Sequence, residues 1–117
     1  MPFQRNCNFA IPTSQKDVMN KFEEHIQGAK PVVVDFFAEW CGPCKMMPPV
    51  LKQVKDSVGE QATILKMDID KNPEYAQRLG IQAVPTLIIF QNGNIIWRKA
   101  GVSSAPEILG QLKQVLK

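Results

Sequence analysis

Two cysteines separated by two residues, Cys41 and Cys44 in the sequence CGPC, are the side chains best suited to chemistry in this chain. A bond between them closes so small a loop that chain entropy gives it only about 2 kcal/mol, before strain is subtracted. A chain of 117 residues, 44% of them hydrophobic, can build a core without such a staple. The spacing therefore favours a pair that opens and closes a disulfide over a purely structural bond.

A zinc site is the alternative use of this pair, because zinc sites also contain the Cys-x-x-Cys spacing. The remaining ligands would have to be Cys7 and His25, the only other soft ligands in the sequence. Zinc sites normally show paired, evenly spaced ligands, which these two residues do not provide. We therefore expect no metal, and we expect Cys7 to take no part in catalysis.

The surrounding sequence predicts different roles for the two cysteines. The β-branched and aromatic run VVVDFFA at 32–38 predicts a buried strand, and a helix is expected from CGPC to about Val58. Unpaired N–H groups at a helix start favour an anion, so Cys41 is expected to be the attacking thiolate. Cys44 lies one turn deeper on the same face, where we expect it to be less exposed and to resolve the mixed disulfide.

Three neighbouring residues bear on the chemistry of the pair. Neither Gly42 nor Pro43 can donate a side-chain hydrogen bond to a thiolate, which favours the disulfide form and hence a reductant. Asp35 interrupts an otherwise apolar strand, so burial should raise its pKa and keep it partly protonated.

The elements that must position these residues alternate along the chain in the order β-α-β-α-β-α-β-β-α. Such an order implies an α/β fold, a central mixed sheet with helices on both faces, in a single domain over 1–117. Asn92-Gly93 predicts a hairpin turn, and Ser104 with Glu107 predicts a capping box. Two prolines, at 48 and 49, should kink the second helix. The predicted strands are 9–12, 32–38, 62–69, 86–90 and 95–100; the predicted helices begin near residues 14, 42, 73 and 105.

Charge and hydropathy narrow the range of partners and compartments. The 14 basic and 11 acidic residues give a net charge of +3, and the basic ones are scattered, which disfavours nucleic acid as a partner. No apolar run approaches the ~20 residues that cross a bilayer. The first residues lack the apolar stretch of a signal peptide, so we expect a cytoplasmic protein. The periplasm stays open as an alternative if a leader was removed.

Several segments together resemble the thioredoxin family: VDFFAEWCGPCK at 34–45, MDID at 67–70, AVPTL at 83–87, QNG at 91–93 and AGV at 100–102. The match is collinear from about Pro31 to the carboxyl terminus, and the tryptophan-preceded CGPCK is highly specific. The sequence departs at Phe37, where many thioredoxins have tryptophan. The resemblance implies the thioredoxin fold. The change at Phe37 keeps an aromatic ring but loses the indole donor, so we expect altered packing behind the site rather than lost activity.

The resemblance also implies roles for individual residues. Asp35 would lie beneath the cysteines and accept the proton of Cys44 through water, with Lys66 as its partner. The Val84–Pro85 peptide bond would be cis, with the Val84 backbone pairing with the target chain as an added strand. The residues that would border the target are Trp40, Gly42, Pro43 and Gly101.

The function implied by the resemblance is reduction of disulfides in target proteins through a redox disulfide between Cys41 and Cys44. Thioredoxin reductase, which uses NADPH, would reduce the oxidised chain again, and the chain itself would need no bound cofactor. We expect a monomer. The alternative is a binding module in which the thiols are incidental, but the intact set of Cys41, Cys44, Asp35 and Pro85 weighs against it.

Overall fold

A four-stranded mixed sheet forms the centre of the fold. The structure, a computed structural model, describes residue 24 and residues 26–116. Its strands are β1 (Val32–Phe37), β2 (Thr63–Asp68), β3 (Thr86–Gln91) and β4 (Asn94–Ala100), in the order β2-β1-β3-β4. β1 and β2 are parallel, whereas β3 is antiparallel to β1 and to β4. The predicted mixed sheet is confirmed; the strand predicted at 9–12 lies outside the described residues.

Within residues 26–116, three α-helices each follow a strand: α1 (Met47–Val58), α2 (Pro73–Arg78) and α3 (Ala105–Lys113). A 3-10 turn, Pro43–Met46, precedes α1, so the single helix predicted after CGPC consists of two pieces. The kink predicted at Pro48 and Pro49 is wrong because both lie in the first turn of α1. N–H groups have no partner within the helix there, so the prolines remove no hydrogen bond.

Alternating residues of β1 enter two apolar clusters, one on each face of the sheet. Val33 packs with Leu51 of α1 and Ile108 of α3. On the opposite face, Val34 packs with Tyr75 of α2. Each large apolar side chain withdrawn from water contributes about 1.5–3 kcal/mol, so this double burial holds β1 firmly at the centre. Helices on both faces are confirmed.

Two local predictions concern the closing hairpin and the last helix. Asn92 and Gly93 have φ values of 55° and 81°, as a two-residue hairpin turn requires. The N–H of Glu107 donates to Ser104 Oγ at 3.3 Å, which caps α3. The Glu107 carboxylate instead accepts from Lys99 Nζ at 2.8 Å, so the structure shows one half of the predicted capping box.

Candidate active site

Cys41 and Cys44 form a disulfide just beyond the end of β1. The N–H of Cys41 donates to the carbonyl of Ala38 at 3.1 Å, which closes the turn between the central strand and the 3-10 turn. The two Cα atoms are 5.4 Å apart. Each cysteine is 4% exposed, so the prediction that Cys44 is the less exposed of the two is wrong. Their polar contacts distinguish the two residues better than their burial does.

Two backbone groups approach the sulfur of Cys41. The Cys44 N–H donates to Cys41 Sγ at 3.1 Å, and the carbonyl oxygen of Val84 lies 3.5 Å from the same sulfur. The N–H favours a negative charge on Cys41, whereas the carbonyl can accept a hydrogen bond only from the protonated thiol. The anion stabilisation predicted from a helix start thus has a specific source, an N–H within a 3-10 turn.

Asp35 lies in β1 with no exposed surface. Neither of its carboxylate oxygens has a hydrogen-bond partner among the described residues. Burial raises the pKa of Asp35 from 3.8 to about 6, and the positive charge of Lys66 lowers it by less. Lys66 is its register partner on β2. A carboxyl group with such a pKa can take up and release a proton near neutral pH.

A cavity of about 280 Å³ opens beside Cys44. The Lys66 ammonium lies at its wall, 5.0 Å from the centroid of the Phe37 ring, close enough for a cation–π contact. The structure therefore brings Lys66 and Cys44 to one cavity, which Asp35 does not line. The lining residues are Phe37, Ala38, Glu39, Cys44, Lys45, Pro48 and Lys66.

The segment before β3 meets the disulfide on another side. The Val84–Pro85 peptide bond is cis, as the resemblance implied, and Val84 packs against the cysteines. The carbonyl of Pro85 accepts from the N–H of Gly101 at 2.7 Å, so the residue after β4 holds this segment. Gly101 has a φ of +96°, and a Cβ there would meet nothing within 4 Å. In the target-free protein, backbone conformation rather than crowding favours glycine at this position.

Trp40 is 70% exposed beside the cysteines. Its indole Nε1 donates to Asp70 Oδ2 at 2.8 Å, and Lys71 Nζ lies 3.8 Å from Glu39 Oε1. Neither the residue type of Asp70 nor its position in the sequence predicts this contact. The signal that could have found it is topological, because parallel β1 and β2 place the loops that follow them at the same edge of the sheet. The two contacts join those loops and hold the Trp40 ring.

Gly42 and Pro43 are exposed between the two cysteines. Gly42 has a φ of −62°, and a Cβ there would meet nothing within 4 Å, so other residues would fit this backbone. Pro43 begins the 3-10 turn, where its missing N–H removes no bond. These residues therefore place no side-chain donor next to the disulfide.

Cys7 and His25, the two further ligands that the alternative zinc site would need, lie outside the described residues. Within residues 24 and 26–116, no group of three or more His, Cys, Asp or Glu side chains is placed to hold a metal ion. Over the same residues, no helix has the length and apolar composition needed to cross a membrane.

Known proteins of one family match this chain. The family model described as Thioredoxin matches residues 13–114. A thioredoxin from Alicyclobacillus acidocaldarius is 42% identical over 96 residues, which cover 82% of this chain and 91% of that protein. Thioredoxin Y, chloroplastic, from Oryza sativa is 37% identical over 117 residues, which cover 99% of this chain and 69% of that protein. A bifunctional thioredoxin reductase/thioredoxin from Mycobacterium leprae is 40% identical over 95 residues, which cover 81% of this chain and 21% of that protein. The solved thioredoxin structure from Malassezia sympodialis has a TM-score of 0.75 and 35% identity over 84% of this chain and 85% of that chain.

Proposed function

Because the chain belongs to the thioredoxin family and is a thiol–disulfide oxidoreductase, we propose that it reduces disulfides in target proteins, with Cys41 as the attacking thiolate and Cys44 as the resolving thiol. The observation that carries this assignment is the 3.1 Å hydrogen bond from the Cys44 N–H to Cys41 Sγ. It favours the thiolate at Cys41, which is the form of cysteine that attacks a disulfide.

The reaction consists of two exchanges. The Cys41 thiolate attacks one sulfur of the target disulfide, a mixed disulfide forms, and one target cysteine leaves as a thiolate. Cys44 then loses its proton and attacks Cys41 Sγ, so the mixed disulfide breaks and the second target thiolate leaves. The target gains two electrons, and the enzyme ends with the Cys41–Cys44 disulfide.

Asp35 accepts the proton that Cys44 loses, through water. Its pKa of about 6 leaves it mostly ionised at neutral pH, as a proton acceptor must be, yet close enough to neutrality to bind a proton. Lys66 supports the ionised form from the neighbouring strand, since its positive charge lowers the pKa of Asp35. These two residues therefore set the pH range over which Cys44 can resolve the mixed disulfide.

The target chain binds to the backbone of Val84 as an added strand, a mode that depends little on target sequence. The position of Val84 against the disulfide supports this proposal. Trp40 offers an exposed apolar ring, and Gly42, Pro43 and Gly101 leave room for the target backbone.

The direction of exchange and its partners complete the proposal. Gly42 and Pro43 lack a side-chain donor that would stabilise the reduced form, which favours a reductant. The enzyme acts as a monomer, and thioredoxin reductase returns its disulfide to the dithiol form. The name of the Mycobacterium leprae relative gives both activities to one protein, which supports this partner. It works in the cytoplasm, where thiols are kept reduced. The Oryza sativa relative is named chloroplastic, so the redox state of Cys41 and Cys44 in separated cell fractions is the test of compartment.

Trapping of covalent intermediates tests the mechanism. With insulin as the target and dithiothreitol as the reductant, the wild type should cleave the insulin disulfides. Pre-reduced Cys44→Ser, mixed with insulin after dithiothreitol has been removed, should accumulate a mixed disulfide, because the attacking thiol is present and the resolving thiol is absent. Cys41→Ser is the matched control and should trap little. Equal trapping by the two variants would contradict the assignment, and a wild type without insulin reduction would contradict the function.

A further inference from the structure

Arg98 of β4 bonds to the backbone that follows α2. Its guanidinium donates from Nη1 to the carbonyl of Leu79 at 2.5 Å and from Nη2 to the carbonyl of Gly80 at 3.0 Å. These acceptors lie just beyond α2, where the last carbonyls of a helix lack partners within it. Because a guanidinium is planar and donates in a fixed fork, two such bonds fix both the position and the direction of that backbone.

The backbone held by Arg98 leads directly to Val84. The other end of this segment is also fixed: Thr86 Oγ1 donates to the carbonyl of Ala83 at 2.6 Å, and the Gly101 N–H donates to the carbonyl of Pro85 at 2.7 Å. Arg98 lies in β4, and Gly101 is the first residue after β4. The carboxyl-terminal half of this strand and the residue after it therefore hold the segment 79–85 at both of its ends.

We infer that Arg98 is a positioning residue for target binding, acting through residues 79–85 to place the Val84 backbone beside Cys41. The inference rests on the proposed function, in which the target chain pairs with Val84. Strand pairing requires N–H and carbonyl groups to meet within a narrow range of distance and angle. A displaced segment would therefore bind an extended target less well while the thiols themselves stay unchanged.

Loss of Arg98 should displace the segment without unfolding it. The N–H of Ile81 also donates to the carbonyl of Ala76 at 2.8 Å, and the Ile81 side chain packs in the core, so the chain keeps other attachments after α2. Arg98 itself is exposed, so its truncation opens no cavity in the core.

The test compares an extended target with a small one. Arg98→Met removes both donors and keeps an unbranched side chain, while Arg98→Lys keeps the charge and loses the fork. Lys99→Met is the matched control, because Lys99 is the next residue of β4 but pairs with Glu107 of α3. Each variant is assayed with insulin and with dithiobis-nitrobenzoate, a small disulfide that has no chain to pair. Dithiothreitol serves as the reductant for insulin, because a reductase would itself have to bind the site. Dithiobis-nitrobenzoate is reduced by dithiothreitol directly, so for that assay each variant is reduced beforehand, freed of dithiothreitol and followed through a single turnover.

For Arg98→Met, the KM for insulin should rise roughly twofold to thirtyfold, the range of coupling that residues between two sites produce. Its kcat and its rate with the small disulfide should match the wild type. The KM of Arg98→Lys for insulin should lie between those of the wild type and Arg98→Met, and the KM of Lys99→Met should match the wild type. If Arg98→Met does not fold, the comparison with the wild type is made with Arg98→Lys.

Two outcomes would overturn the inference: an unchanged KM for insulin in both Arg98 variants, or an equal loss with insulin and with the small disulfide. The second outcome would place the effect at the thiols rather than at the target-binding segment. A wild type that does not reduce insulin would overturn the proposed function and this inference together, and is recognised by that control alone.

Discussion

Replacement of Asp35 by asparagine should remove a pH dependence from the stability of the oxidised protein. The pKa of Asp35 is about 6 in the folded chain against an ordinary value of 3.8. Between these values the folded state binds more protons than the unfolded state, so the free energy of unfolding falls as the pH rises. Below pH 3.8 the group contributes nothing, and above pH 6 its full cost is present.

The size of the effect follows from the shift. A rise in pKa from 3.8 to about 6 corresponds to about 3 kcal/mol of lost stability at neutral pH. Asparagine does not titrate, but it buries an amide where the described residues offer no partner, which costs about 1–3 kcal/mol at every pH. We therefore expect Asp35→Asn to be less stable than the wild type at pH 4 and at least as stable at about pH 7.5.

Urea unfolding of the oxidised protein across this pH range measures the difference. With a typical slope of about 1–3 kcal/mol per molar urea, the wild-type midpoint should fall by roughly 1–3 M relative to the variant as the pH rises. Asp56→Asn is the control, since that carboxylate is 69% exposed and its loss should leave the wild-type profile unchanged. Parallel profiles for the wild type and Asp35→Asn would refute the account of Asp35 as a buried carboxyl group with a raised pKa.

Three further substitutions test the charge beside Asp35 and the backbone at two glycines. Lys66→Gln removes the charge that lowers the pKa of Asp35, so the pH at which stability falls should move upward, measured by the same urea series; an unmoved or lowered inflection would contradict the coupling. Gly101→Ala should destabilise the fold by about 1–3 kcal/mol, because the φ of Gly101 is +96°. Its control, Gly110→Ala within α3, should instead stabilise the fold by up to about 1 kcal/mol. The two variants should therefore shift the thermal unfolding midpoint in opposite directions, and shifts in the same direction would contradict the backbone argument.

The features that the sequence predicted well have strong local causes. The run at 32–38 is apolar on both faces, and the structure places it as the central strand between two clusters. Asn92 and Gly93 are residues that tolerate a positive φ, so the hairpin follows from local backbone preference. The spacing of Cys41 and Cys44 also allowed the disulfide to be expected before its geometry was known.

The features that the sequence did not predict depend on contacts between distant segments. Arg98 bonds to backbone carbonyls, which every residue has, so no residue type marks the partner. The bond from Trp40 to Asp70 spans two loops that only the parallel pairing of β1 and β2 brings together. The equal burial of Cys41 and Cys44 has the same origin, since Val84 covers Cys41 from a segment far along the chain.

The lack of a partner for Asp35 explains why this carboxyl group suits its proposed role. A direct ion pair would stabilise the ionised form, lower the pKa and weaken the group as a base. Here the Lys66 ammonium lies over the Phe37 ring at 5.0 Å, and its charge lowers the pKa of Asp35 by less than burial raises it. A base works best when its pKa lies near the working pH, which unpaired burial achieves and pairing would not. The stability that the fold loses at neutral pH is therefore the direct consequence of burying an unpaired carboxyl group in the central strand.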